Sequence, residues 1–362
     1  MKRSLALFFI VIMMISMGGC GGRSGENDVR EFPGTNGEIA LIIEGKDVED
    51  DPYCRAIWDG ICAYGDQNEI TYQWFSAGSN DVEQAKNAIS QAIEEGARVI
   101  VVGGSDFEDA VFEMELEYLD VSFMIIDGPT TDPETVPLMN DNVSGVIFRE
   151  EEAGYLAGYA AVMDGYRKLG FLGGRELPSV SRFGCGFIQG AEDAAKELKV
   201  ASIDMKYQYL GHFDANDDVK SLAQSWYDDG VEVIFACAGG AGRSVMEAAE
   251  AANGNVIGVD VDQYEDSETV ITSATKNLEE AVKRLLDEYY NSQFPGSEIW
   301  TMDVCDGGVG LAMEHARFRT FDQADYDALI GKLQDSGVGM IVEEITNVRE
   351  MTTKRVRVRL VE

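Results

Sequence analysis

The chain has 362 residues, a length that suits two domains of roughly 150. Its 65 acidic side chains against 29 basic ones give a formal net charge of −36, which disfavours nucleic acid and anionic lipid surfaces as partners, because both are held by clustered Lys and Arg. Two histidines, His212 and His315, argue against a His-rich metal site or a His-based triad, and six cysteines are too few for a disulfide scaffold.

The N-terminus reads as an address. Lys2 and Arg3 precede an apolar run, Leu5–Met17. At about 13 residues the run is shorter than the ~20 needed to span a bilayer, so residues 1–19 are expected to be a signal peptide. Met17-Gly18-Gly19-Cys20 looks like a bacterial lipobox, with Cys20 the acylated residue and Met17 in place of the usual Leu. Two acyl chains on Cys20 suffice for stable anchoring. Residues 20–37 are rich in Gly and polar side chains and are expected to be a flexible tether.

Beyond the tether, short apolar runs alternate with amphipathic stretches. Glu38–Glu44 predicts a buried strand, followed by helical spacing over Asp51–Tyr64. Asn80–Gly96 predicts a helix, with Asn80 or Asp81 as cap, a stripe of Val82, Ala85, Ile89 and Ile93, and Gly96 as stop. Strands are expected at Arg98–Val102 and Val121–Ile126. A second series begins near Val146, where the helix Glu150–Met163 carries the small residues Gly154, Ala157, Gly158 and Ala161 on one face. Further strands are expected at Leu169–Leu172, Ser202–Tyr207, Val231–Cys237, Val256–Val259 and Val270–Thr272. Continuous rather than alternating apolar runs imply parallel strands covered on both faces, hence two doubly wound α/β sheets. Lys354–Leu360 (KRVRVRL) does alternate and reads as a half-exposed strand with charged edges.

Ligands of open α/β sheets sit outside the carboxyl ends of the strands. Glu44, Asp127, Gly239-Gly240 and Asp260 stand at such ends, and Lys276 follows the Val270–Thr272 strand. Carboxylates with one amine suit a neutral, hydroxyl-rich ligand, and each residue could equally be a solvated loop charge. Gly239-Gly240-Ala241-Gly242 lacks the Gly-Lys-Ser/Thr of a phosphate loop and reads as a tight turn. The acids Asp47, Glu49, Asp50 and Asp51 lack an EF-hand pattern and read as a solvated loop. Cys54, Cys62, Cys185, Cys237 and Cys305 are irregularly spaced and read mainly as buried thiols. No cofactor and no metal is expected.

Six segments in order, FREEEAGYLAG (148–158), GFLGG (170–174), GCGFIQG (184–190), VIFACAGGAG (233–242), VIGVDVDQ (256–263) and TSATK (272–276), resemble the basic membrane protein family of lipoproteins. These are substrate-binding proteins of ABC importers and include the PnrA-like purine nucleoside receptors. The resemblance implies a type I periplasmic-binding-protein fold, two Rossmann-like lobes with parallel sheets joined by a hinge. Lobe 1 would hold 38–145 plus 277–315, and lobe 2 would hold 146–276 plus 316–362. It further implies Glu44 as the acid ending the first strand, Tyr53 as an aromatic on the base, and Cys54 in place of the family's Asn. Asp127 would contact the base, Asp260 and Lys276 the ribose, and Gly239 and Gly240 would allow close backbone approach. Phe235 is the candidate for a second aromatic, with Phe213 as the fallback.

The expectation is a non-catalytic, lipid-anchored monomer on the extracytoplasmic face of the cell membrane, passing a nucleoside to an ABC permease. A sensory lipoprotein for another polar or aromatic ligand and a nucleoside-acting α/β enzyme are the rivals.

Overall fold

The computed structural model describes residues 37–129, 139–334 and 347–361. The signal-like segment, Cys20 and the tether up to residue 36 lie outside the described residues.

In chain order the strands are β1 (Ile39–Ile43), β2 (Tyr72–Ser76), β3 (Val99–Gly103), β4 (Ser122–Ile126), β5 (Val143–Phe148), β6 (Lys168–Gly173), β7 (Ile203–Tyr209), β8 (Val233–Cys237), β9 (Asn255–Asp260), β10 (Val270–Lys276), β11 (Ile299–Met302), β12 (Val309–Leu311) and β13 (Val356–Leu360). The helices between them are α1 (Pro52–Asn68), α2 (Val82–Glu94), α3 (Glu108–Met114), α4 (Glu150–Met163), α5 (Pro178–Glu197), α6 (Asp217–Asp228), α7 (Gly242–Ala252), α8 (Leu278–Tyr290) and α9 (Gln323–Gln334). Among the described residues the strands form a six-stranded sheet, β11-β5-β4-β3-β1-β2, and a seven-stranded sheet, β12-β10-β9-β8-β6-β7-β13. Neighbours pair in parallel except β10 with β12.

The apolar runs are continuous because the strands are covered on both faces. In β1, Ile39, Leu41 and Ile43 belong to one core cluster while Ala40 and Ile42 belong to another. Helix starts follow side-chain chemistry. Asp51 accepts from the Tyr53 amide to cap α1, and Asp81 accepts from the Gln84 amide to cap α2.

Sheet membership moves two of the expected lobe boundaries. β5 runs to Phe148 within the first sheet, so the chain crosses at Phe148–Glu150 rather than at 145. β11 pairs with β5 in the first sheet and β12 with β10 in the second, so the last crossing lies between Met302 and Val309 rather than at 315. The middle crossing follows Lys276, after which α8 packs on α1. β10 is also longer than the short strand expected, so Lys276 is its last residue.

The small face of α4 packs backbone to backbone against α5. A Cβ on Gly154 or Gly158 would collide with the carbonyl oxygens of Phe183 or Phe187, and one on Gly186 or Gly190 with those of Glu151 or Tyr155. A main-chain obstacle cannot swing aside. Gly158→Ala should therefore cost about 1–3 kcal/mol by overpacking, outweighing the ~1 kcal/mol that Ala gains over Gly in a helix. Denaturant unfolding of the variant checks the sign: a more stable protein would show that the two helices can part.

Candidate ligand-binding cleft

The carboxyl ends of β4 and β9 each place an acid where the two lobes meet. Asp127 directly follows β4 and Asp260 ends β9, and both have left-handed backbones, at φ 62° and 64°. Asp is one of the few side chains that tolerates this region, at a cost on the order of 1 kcal/mol or more. Between them stands Lys276, 7% exposed. Its Nζ donates to Asp127 Oδ2 at 2.5 Å and lies 3.5 Å from Asp260 Oδ1 and 3.3 Å from Glu150 Oε1. Three rings face the ammonium: Tyr53 and Phe148 at 5.5 Å and Phe183 at 5.2 Å.

Burial works against every charge here. Burial by itself would lower the Lys276 ammonium, but Asp127, Asp260 and Glu150 more than offset it and hold it above the ordinary lysine range. Burial raises Asp127, Lys276 opposes, and Glu150 and Asp260 add to the rise. Burial likewise raises Asp260, again against Lys276. Asp127 Oδ1 is buried without a hydrogen-bond partner among the described residues, an acceptor left unused there.

Tyr53 enters from lobe 1, at the start of α1. Its hydroxyl donates to the Ile126 carbonyl at 3.1 Å, and a Cβ on Gly103 would stand 2.9 Å from its ring. Cys54 is half-buried beside it. Burial, then Asp51, Glu44 and Asp260, push its thiol well above the usual range, so it stays neutral.

The lobes touch across the mouth. Arg175, two residues beyond β6, reaches from lobe 2 to Glu44 at 2.6 Å and Asp106 at 2.8 Å in lobe 1. Arg243 donates to the carbonyls of Glu49 and Asp50 at 3.0 and 2.7 Å. Gly239, at φ 51°, lies so close to lobe 1 that a Cβ would meet Asp51 Oδ2 at 2.9 Å, and one on Gly240 would meet the Asp50 carbonyl at 2.7 Å. The acidic loop thus caps helices and seats the second lobe.

Phe235 does not reach this cleft. It is fully buried on β8, with the rings of Phe171, Phe183 and Phe187 at 5.4, 5.8 and 5.3 Å, and belongs to the core of lobe 2. Phe213 stands at the mouth instead. Its ring lies against Gly174 and carries the Arg175 guanidinium 5.0 Å from its centroid. The structure thus brings Glu44, Tyr53, Cys54, Asp127, Gly239, Gly240, Asp260 and Lys276 to one cleft. Sequence reasoning missed Arg175, Asp106, Glu150 and Arg182. The first two follow the carboxyl ends of β6 and β3, so a complete search of strand ends would have found them.

The sequence profile of the family described as ABC transporter substrate-binding protein, PnrA-like, matches residues 37–346. The ABC transporter nucleoside-binding protein BmpA of Lactococcus lactis subsp. cremoris is 28% identical over 365 residues, covering 92% of this chain and 98% of its own. Basic membrane protein A of Borreliella afzelii is 29% identical over 324 residues, covering 87% and 92%. Solved ABC transporter solute-binding proteins share the fold, the type I periplasmic-binding-protein arrangement. That of Aeropyrum pernix K1 is 18% identical with a TM-score of 0.66, covering 82% of this chain and 85% of its own. That of Conexibacter woesei is 24% identical with a TM-score of 0.65, covering 83% and 97%.

Behind the cleft Glu151 is 2% exposed, and Arg149 stands 3.2 Å from it. Burial and then Glu150 raise its carboxyl to about 7, against Arg149 and Arg182. The folded state therefore holds this proton more tightly than the unfolded chain, whose value is near 4.5. The contribution of Glu151 to stability is therefore fully present below that value and is lost as pH rises through about 7, by about 3 kcal/mol in full. Glu151→Gln should remove this fall and leave the protein more stable than wild type at about pH 8. Unfolding midpoints measured across that range decide it, and parallel curves would reject the assignment.

Proposed function

The chain belongs to the PnrA-like family of ABC transporter substrate-binding proteins, and on that premise we propose that its cleft captures a nucleoside, a purine nucleoside first, and passes it unchanged to an ABC permease. The carrying observation is the Asp127–Lys276–Asp260 constellation, in which acids from two lobes meet one buried ammonium. Sugar hydroxyls donate to Asp260 and accept from Lys276, and the free Oδ1 of Asp127 accepts a ring N–H of the base. Tyr53 offers one aromatic surface and Phe213, at the mouth, the other. The name of the Lactococcus relative supports the ligand class. In the same reading the Met17-Gly18-Gly19-Cys20 segment supports anchoring through an acylated Cys20 on the extracytoplasmic face, with the chain acting as a monomer. No helix among the described residues is long and apolar enough to cross a membrane.

Thermal shift with inosine, guanosine, adenosine, uridine, cytidine and ribose tests the ligand class. A nucleoside at 100 times its Kd should add about 2.7 kcal/mol of stability. Asp260→Ala should lose the response while unfolding cooperatively. A full response in that variant, or turnover of the nucleoside by the pure protein, would overturn the assignment.

The Arg175 bridge to Glu44 and Asp106 forms only when the lobes meet. Arg175→Met should therefore speed ligand release and weaken binding by about tenfold at low salt. Raising the salt should narrow the gap from wild type. Stopped-flow release rates at two ionic strengths read this directly, and equal rates would place the bridge outside closure.

A further inference from the structure

Three carboxylates surround Lys276, and they do not stand alike. Asp127 and Asp260 end strands at the cleft, while Glu150 comes from behind, as the first residue of α4. Glu150 is fully buried, and its second oxygen accepts from Arg182 Nε at 2.5 Å. We propose that Glu150, fixed by Arg182, is the positioning residue of the binding lysine: it is the counter-ion that stays with Lys276 while Asp127 and Asp260 turn their oxygens to the ligand. The inference rests on the cleft being a nucleoside site.

A buried ammonium is costly unless a carboxylate remains with it. A ligand hydroxyl that donates to Asp260, or a ring N–H that donates to Asp127, competes with Lys276 for the same oxygens. The lysine can release those bonds without becoming an isolated buried cation only if a third carboxylate stays in reach. Glu150 cannot turn away, because Arg182 holds its far oxygen. Its helix end is also tied to the crossings, since the Arg149 amide donates to the Met302 carbonyl at 2.9 Å. Burial alone would raise the Glu150 carboxyl, but Arg182 and then Lys276 outweigh it and keep it ionised.

The groups facing this centre come from every neighbouring element: Asp127 after β4, Asp260 on β9, Tyr53 on α1, Cys237 on β8, Arg182 on α5, and Glu151 next to Glu150 on α4. Burial holds Tyr53 and Cys237 well above their usual ranges. Burial raises Asp127 to about 6 and Glu151 to about 7, so both are ionised in mildly alkaline solution.

The test uses the mature protein carrying Glu150→Gln, and a second form with Glu150→Gln and Arg182→Gln together, which removes both charges and so guards against misfolding. Lysine labelled with ¹⁵N reports the Lys276 ammonium directly, assigned by its loss in Lys276→Arg. In both variants, without ligand, its titration midpoint should fall by about one unit or more. Inosine affinity near pH 8 should be at least about tenfold weaker than wild type, because the ligand can then engage Asp127 and Asp260 only by leaving Lys276 without a counter-ion. An unmoved midpoint with unchanged inosine affinity would overturn the positioning role and leave the nucleoside reading standing. A shifted midpoint in a protein whose wild type ignores inosine would support the positioning role and end the nucleoside reading.

Discussion

A single ammonium group buried among carboxylates is the constraint on which the cleft depends. Lys276 cannot be dry and charged on its own, so the fold must deliver acids to it from several directions. It does so from the end of β4 in one lobe, the end of β9 in the other, and the first turn of α4 at the crossing between them. The consequence reaches the ligand. Among the described residues, Lys276 at the cleft floor is already claimed by three acids, and Arg182 behind it by Glu150. A negatively charged guest would add to that surplus, whereas a neutral guest rich in donors can share the carboxylates without altering the charge.

Backbone geometry aims those acids. Asp127 and Asp260 both sit in the left-handed region at the point where a strand gives way to a loop. Each conformation costs energy, and what the side chains do offers the compensation. Both turn towards Lys276. The same economy explains Gly239, where the second lobe comes within contact of the Asp51 carboxylate and a side chain would hold the lobes apart.

Much of this was legible in the order of the residues. Strands such as β1, β3 and β8 are unbroken apolar runs because helices cover both their faces, and that is the pattern the sequence displays. β2 escaped because Tyr72–Ser76 mixes exposed and buried positions without a clean apolar run, and β11 and β12 are short. The strand-end search reached Glu44, Asp127, Asp260 and Lys276, since position along a parallel strand fixes which end meets a ligand. It could not say which way a strand residue faces. Phe235 lies among Phe171, Phe183 and Phe187 because its side of β8 meets α5, while Phe213 occupies an irregular loop whose sequence has no period to read. The acids opening α4 resemble an ordinary solvated first turn that complements the helix dipole. They are buried because three chain crossings converge there, and convergence is a tertiary fact.

That convergence joins the site to the hinge. Glu150 touches Lys276 at the middle crossing, and Arg149 at the first crossing faces Glu151 and Glu152. Glu152 in turn accepts from the Val304 amide at 2.8 Å in the last crossing, and the Asn277 amide donates to the Gly308 carbonyl at 2.9 Å. One helix terminus therefore holds the segments that must bend when the lobes part, and it also holds the lysine at the cleft. The Arg175 bridge is a different kind of contact, since it lies at the mouth, with the Glu44 side chain 41% exposed. Salt screens exposed charges far more than buried ones. Ionic strength thus acts mainly on the contacts that hold the mouth shut. Proton concentration acts mainly on the buried carboxyls, so the two variables address different contacts of one molecule.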